Sequence, residues 1–235
     1  MQSTFTEQGM EFLDISVARD FVKEVIVEDC YRINEIPEGS IVIDAGAMFG
    51  EFGIACNLKR FCKIIFIEPS IESVEILRRN LLLNDIESDC AVINVALASD
   101  DRIETFIASS IIPQGNVFAS LTHNHSDGNA LRYPVRCMTI PEIIKQAQTK
   151  FGADRKVCLK MDCEGVEKEL FCGNLEWLNK IYSIMMEWHY YDGHVYANIL
   201  KELGFYTRVL EGSGPPPRPA WNPTICGGLL IANRL

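Results

Sequence analysis

At 235 residues, 48% of them hydrophobic and 23% charged, the chain is long enough to bury a full core without disulfides or metals, and its composition excludes collagen-like, coiled-coil and disordered readings. Its 32 Asp and Glu against 22 Lys and Arg leave a net charge of −10, and no block of Lys and Arg offsets it, which argues against nucleic acid as a partner. Nine scattered cysteines without a C-x-x-C pair, a start unlike a leader and no membrane-length apolar run read as a reduced, cytoplasmic protein with no membrane span.

In chain order, residues 1–39 read as an amino-terminal extension packing on a core domain of residues 40–235. From about residue 40, short apolar runs bounded by turn residues alternate with longer amphipathic stretches, the pattern of βαβ units and a parallel sheet. Ser40–Ala45 is a buried strand, Phe49–Leu58 a helix and Lys63–Glu68 a second strand. Pro69-Ser70 opens a helix whose Ile71, Val74, Leu77 and Leu81 fall on one face. A third strand is expected over Ala91–Ala96, and residues 101–137, broken by Pro113, Gly115, Gly128 and Pro134, read as an excursion of strand pairs and loops. A helix over Ile140–Lys150 precedes a fourth strand, Lys156–Met161, and a helix with an acidic start, Val166–Phe171. Tyr182–Trp188 is a fifth strand, Val195–Leu203 a helix, and Phe205–Glu211 with Gly227–Ala232 a closing hairpin. The expected class is α/β: one Rossmann-like domain with a mostly parallel sheet, helices on both faces and a C-terminal antiparallel hairpin.

The chemistry concentrates first at Asp44-Ala-Gly46-Ala-Met-Phe-Gly50, a strand-turn-helix junction. A dinucleotide fingerprint would need glycines at 46, 48 and 51, where Gly46, Met48 and Glu51 stand, so an NAD(P)-dependent oxidoreductase is the weaker alternative. The D-x-G-x-x-x-G spacing matches the first motif of Rossmann-like methyltransferases that bind S-adenosylmethionine. That donor is a cation at sulfur, so an acid at the strand end suits it better than a phosphate cradle would. Asp44 would supply negative potential and organise the turn of Gly46, Ala47 and Gly50, whose glycines let the backbone pass close to a ligand. Glu68 lies 24 residues beyond Asp44 at the next strand end, positioned to accept the ribose hydroxyls.

On IVIDAGAMFGEFG (41–53), IIFIEPSIESVEILRRNLLLN (64–84), VINVALAS (92–99), VRCMTIPEII (135–144), LKMDCEGVEKELFCG (159–173) and MMEWH (185–189), the chain resembles the FkbM-type methyltransferases. The resemblance implies a seven-stranded class I sheet and S-adenosylmethionine as donor. It also implies O-methylation of a hydroxyl on a sugar, lipid or secondary metabolite. Pro69 and the loop from Asn94 through Ala96 to Leu97 would then lie on the adenine side. The sequence departs from the commoner pattern at Met48-Phe49 and in residues 213–228.

Methyl transfer to a hydroxyl needs donor and acceptor aligned and a group to take the proton. Candidates end the fourth and fifth strands: Asp162, Glu164, Glu187 and His189. Alternation along a strand puts Asp162 with Glu164, and Glu187 with His189, on one side. His189 is the preferred base because an imidazole of ordinary pKa titrates near neutrality; Asp162 and Glu187 are the alternatives. Asp162 is equally readable as a donor-side carboxylate, or with Glu187 as a Mg²⁺ site, which is possible but not favoured. Glu167 reads as a cap or solvated acid of the following helix. The [DN]-P-P-[FYW] motif of exocyclic amine methylation is missing after the fourth strand, which holds Met161-Asp162-Cys163-Glu164 there. Oxygen is therefore the expected acceptor atom. Ser120, His123 and His125 reach the acceptor if the excursion forms a lid, and Gly212–Pro219, with three consecutive prolines, makes a rigid turn beside the pocket. A non-catalytic module that binds the donor is the remaining alternative.

Overall fold

The computed structural model describes residues 3–15, 17–108, 131–189, 193–210 and 227–234. Two short strands, β1 (Thr4–Glu7) and β2 (Met10–Leu13), pair antiparallel. α1 (Ala18–Val22) runs on through a π-helical turn, Lys23–Val27, and a 3-10 turn spans Ile33–Glu35. The alternating units follow: β3 (Ile41–Ala45), α2 (Glu51–Arg60), β4 (Lys63–Ile67), α3 (Ile71–Leu83) and β5 (Cys90–Ile93). Next come β6 (Ala96–Leu97), β7 (Ile103–Ala108), β8 (Leu131–Met138) and α4 (Ile140–Phe151). β9 (Val157–Met161), α5 (Val166–Cys172), β10 (Ser183–His189), α6 (Gly193–Glu202), β11 (Phe205–Leu210) and β12 (Gly227–Arg234) complete the chain.

Seven strands form the main sheet in the order β11-β12-β10-β9-β3-β4-β5. β10, β9, β3, β4 and β5 run parallel, while β12 is antiparallel to both its neighbours, the closing hairpin expected from the sequence. The chain builds outward from β3 through β4 to β5, then returns to the other side of β3 for β9 and β10. The order therefore reverses between β3 and β9, and the crevice beyond the carboxyl ends of those strands is where open α/β sheets bind ligands.

Period-two alternation divides the core between the two faces of the sheet. Ile41, Ile43, Leu159, Ile184 and Met186 join one buried cluster with α4, α5 and α6. Val42, Phe66, Cys158 and Met185 join the other, with α2, α3 and the amino-terminal Phe12, Val25, Ile26 and Tyr31. The amino-terminal strands dock on α3 through amide side chains: the Leu13 and Glu11 N–H groups donate to Asn80 Oδ1 and Asn84 Oδ1, each at 2.9 Å. Among the described residues, no helix is long and apolar enough to cross a membrane.

Two elements differ from expectation. The helix begins at Glu51 instead of Phe49, because Met48 and Gly50 hold φ of +47° and +87° and stop the helix from extending back into the turn. The third strand stops at Ile93. There the Val95 N–H turns back to the Ile93 carbonyl at 3.0 Å, and Asn94 Nδ2 donates to the carbonyls of Glu68 and Pro69 at 2.8 and 3.0 Å. Ala96 and Leu97 consequently leave the main sheet and pair with β8 in a small three-stranded sheet, β6-β8-β7. The strand pair expected in the excursion is β7 with β8, antiparallel.

Candidate active site

The turn after β3 is held by contacts within the protein. The Gly46 and Ala47 N–H groups both donate to the Ile67 carbonyl, at 3.0 and 3.1 Å, which lashes the turn to the end of β4. Gly46 sits at φ +71°, and a Cβ there would stand 1.9 Å from the Asp162 carbonyl oxygen. At Gly50 a Cβ would meet Leu77 Cδ1 at 2.2 Å. At both positions the close approach is to the chain itself, where the spacing alone suggested approach to a ligand; backbone demands glycine at 46, and the left-handed φ of +87° favours it at 50.

Asp44 is fully buried on the α2 face of β3. Its Oδ2 accepts from the Gly53 N–H at 3.2 Å, and its Oδ1 lies 3.3 Å from Lys160 Nζ. Burial raises the Asp44 pKa and Lys160 opposes the rise. The same ammonium donates to the Gly46 carbonyl at 2.7 Å. Burial would lower the Lys160 pKa, but Asp44, Asp162 and Glu51 reverse that and push it up. Lys160, which the sequence offered only as a strand residue, is therefore the buried cation that ties β9 to the turn.

Glu68 just follows β4, and both its oxygens are engaged: Oε2 accepts from the Met48 N–H at 2.9 Å and Oε1 from the Ser70 N–H at 2.8 Å. Burial outweighs these bonds and raises its pKa to about 7. Pro69 is half-buried, Asn94 is exposed, and Ala96 is buried in the small sheet. Glu51, the first residue of α2, is 7% exposed, and its Oε2 has no hydrogen-bond partner among the described residues. Burial raises its pKa to about 7 as well. Sequence reasoning treated Glu51 only as a missing glycine.

Across the crevice the acids face one another. Asp162, Glu164 and His189 each bring a polar atom within 4.8 Å of the others. His189 Nε2 is 3.7 Å from both Glu164 Oε2 and Glu187 Oε1, and its Nδ1 is 3.6 Å from Glu167 Oε2. Alternation along β10 does bring Glu187 and His189 together. Glu164 arrives differently, in a loop beyond β9 with a left-handed φ of +53°. Glu167 is a cap, accepting from the Cys163 and Gly165 N–H groups at 3.0 and 2.9 Å, but it is fully buried and not solvated.

This company changes the expected chemistry of His189. Burial opposes its charge, yet Glu167, Glu164 and Asp162 prevail and push the imidazole up to about 10. The direction favours the protonated imidazole at neutral pH, the opposite of what a general base needs. Burial and Asp162 push Glu187 up to about 8, with His189 opposing, and burial raises Glu164 to about 7. A further group comes from far away in the chain: Tyr31 Oη lies 3.2 Å from Asp162 Oδ2 and 3.4 Å from Glu187 Oε2. Ser120, His123, His125 and the proline turn of 212–219 lie outside the described residues.

The profile described as Methyltransferase FkbM domain matches residues 44–206. A methyltransferase of Sordaria araneosa, sdnD, is 25% identical over 177 residues, covering 66% of this chain and 68% of its own. Among solved structures, P. horikoshii TYW2 in complex with MeSAdo aligns with a TM-score of 0.52 at 12% identity, over 99% of this chain and 70% of that one. The M. jannaschii tRNA m1G37 methyltransferase aligns with a TM-score of 0.52 at 12% identity, over 99% of this chain and 56% of that one. These likenesses establish a class I, Rossmann-like methyltransferase fold.

Proposed function

Since the chain belongs to the FkbM methyltransferase family, we propose that it transfers a methyl group from S-adenosylmethionine to a hydroxyl of a sugar, lipid or secondary metabolite. The observation that carries this reading is the acidic edge at the strand-order reversal, where Asp44, Glu51, Glu68, Asp162 and Glu187 gather at the carboxyl ends of β3, β4, β9 and β10. When bound, the donor supplies a methyl carbon on a sulfonium, electrophilic without further activation. Its two cationic centres and its ribose hydroxyls suit this edge. Glu51 offers an unpartnered carboxylate oxygen to the ammonium, and Glu68 has lone pairs left for the ribose. Gly46, Ala47, Gly50 and Pro69 frame the donor turn, with Asn94 and Ala96 on the adenine side. A dinucleotide fits poorly, because Glu51 would stand beside its pyrophosphate.

On the acceptor side the base is Glu187. Its ionised carboxylate, the minority form below the midpoint near 8, would take the hydroxyl proton as the methyl passes to the acceptor oxygen, so the transfer rate should rise with pH up to about 8. The protonated His189 faces Glu187 and Glu164 and offsets their charge. This arrangement works without Mg²⁺, so chelation should leave turnover unchanged. The net charge favours a neutral hydroxyl acceptor over RNA. The tRNA enzymes among the structural relatives make tRNA the competitor to test.

Calorimetry with S-adenosylmethionine tests the donor: the intact chain should bind it, and Glu68→Ala should bind it weakly. No binding by the intact chain would end this reading. Transfer of labelled methyl to tRNA, and not to any hydroxyl-bearing small molecule or glycan, would replace the acceptor. Donor binding with no transfer to any acceptor would leave a binding module.

A further inference from the structure

The amino-terminal segment reaches the acid pair through one side chain. Tyr31 is 4% exposed, and its ring stands edge-on to Phe52 of α2, with centroids 5.4 Å apart. Lys160 Nζ lies 5.4 Å from the same ring centroid. The backbone is built to hold it there: the Arg32 N–H donates to the Asp29 carbonyl at 3.0 Å, the Ile33 N–H donates to Asp29 Oδ1 at 2.7 Å, and Arg32 turns the chain at φ +57°. The ring is thus wedged between the helix that follows the donor turn and the lysine that ties that turn to β9.

A phenol has one proton to donate, and here it faces two carboxylates on neighbouring strand ends, Asp162 Oδ2 at 3.2 Å and Glu187 Oε2 at 3.4 Å. We propose that Tyr31 is a positioning residue of the acceptor site, holding Asp162 and Glu187 together on one side by a shared hydroxyl so that their other oxygens remain for the donor and the acceptor. The residue lies outside the 44–206 stretch that carries the family match, so the segment before β3 contributes to the chemistry as well as to the packing. The hydroxyl does not ionise in this role: burial, followed by the charges of Asp162 and Glu187, keeps its proton on. A hydrogen bond given to a carboxylate favours the carboxylate's charged form. Tyr31 therefore works against the burial, Asp162, Glu164 and Glu24 that favour protonated Glu187, on the same side as His189.

The proposal rests on Glu187 acting as the base, and its test is separable from that reading because it needs neither donor nor acceptor. In the full-length chain labelled with ¹³C at glutamate carboxyls, the Glu187 resonance, assigned by its loss in Glu187→Gln, is followed against pH. In Tyr31→Phe, which keeps the ring and its packing, the Glu187 midpoint should rise by about one pH unit, a tenfold change in proton affinity. The melting temperature should change little. Tyr182→Phe, which removes a hydroxyl remote from the cluster, should leave the midpoint where it is. An unmoved midpoint in Tyr31→Phe, or an equal rise in Tyr182→Phe, overturns the assignment. Loss of methyl transfer in Glu187→Gln bears on the base alone and leaves the Tyr31 result standing.

Discussion

The two halves of the acidic edge hold their carboxylates by different means. On the donor half, at β3 and β4, Asp44 and Glu68 accept backbone N–H groups from Gly53, Met48 and Ser70, and Lys160 closes the set. Those partners belong to the backbone and one buried cation, so this half is held by the fold itself. On the acceptor half, at β9 and β10, Asp162 and Glu187 meet Tyr31, and Glu164 and Glu187 meet His189. Side chains hold side chains there, and protons can be redistributed among them. A ligand that is the same in every turnover suits the first construction; a proton that must leave and return suits the second.

The sharpest way to break this contrast is at the base. Glu187→Gln should lower the methyl-transfer rate by about 10²–10⁴-fold, the usual worth of a positioned base, while donor affinity by calorimetry stays within about twofold. A parallel loss of donor affinity would merge the two halves into one site. Next, Asp44→Ala should cost about 3–5 kcal/mol of stability in urea unfolding, because Lys160 would be left as a buried charge without its partner. Glu164→Gln, in the adaptable half, should cost much less. Glu68→Ala should weaken donor binding by about 10- to 100-fold, the worth of hydrogen bonds to a charged group, with little effect on the acceptor.

A further effect is a pH dependence. Glu51 and Glu68 are raised from near 4.5 to about 7 and Glu187 to about 8. The folded chain therefore keeps protons that the unfolded chain has released. Their contribution to stability is full below pH 4.5 and is lost as pH rises through 7 and 8. His189, raised from 6.5 to about 10, acts in the same direction over its own range. The melting temperature of the donor-free protein should accordingly decline between about pH 5 and 8. The rise in melting temperature on adding the donor should grow over the same range, since a cation binds the ionised acids.

How far the sequence reaches follows the same division. The parallel strands, the closing hairpin and the acids at the strand ends were legible because each depends on local spacing and apolar runs, while the seven-stranded sheet was implied by the family resemblance. Tyr31 was not: it meets Asp162 and Glu187 across 131 and 156 residues, and nothing in the residues around it announces the meeting. Nor was the charge on His189, whose ordinary pKa made it the natural base, because three acids from the β9–α5 loop and helix set it. Lys160 reads as one polar residue in an apolar strand, and only the β3–β9 register opposite Asp44 reveals its partner. Asn94 ends β5 through bonds to a loop about 25 residues earlier, which no propensity scale contains.

The contact between Gly46 and the Asp162 carbonyl also bears on how the two turns can diverge over evolutionary time. A Cβ at position 46 collides with backbone, which cannot rotate aside, so alanine is shut out as completely as tryptophan. At Gly50 the obstacle is the tip of the Leu77 side chain, which can swing away, leaving only the cost of its left-handed φ. A saturation scan would see a step at the first position and a slope at the second. The joint between the two half-sites is therefore the part of this edge least open to variation, whatever substrate the surrounding loops come to accept.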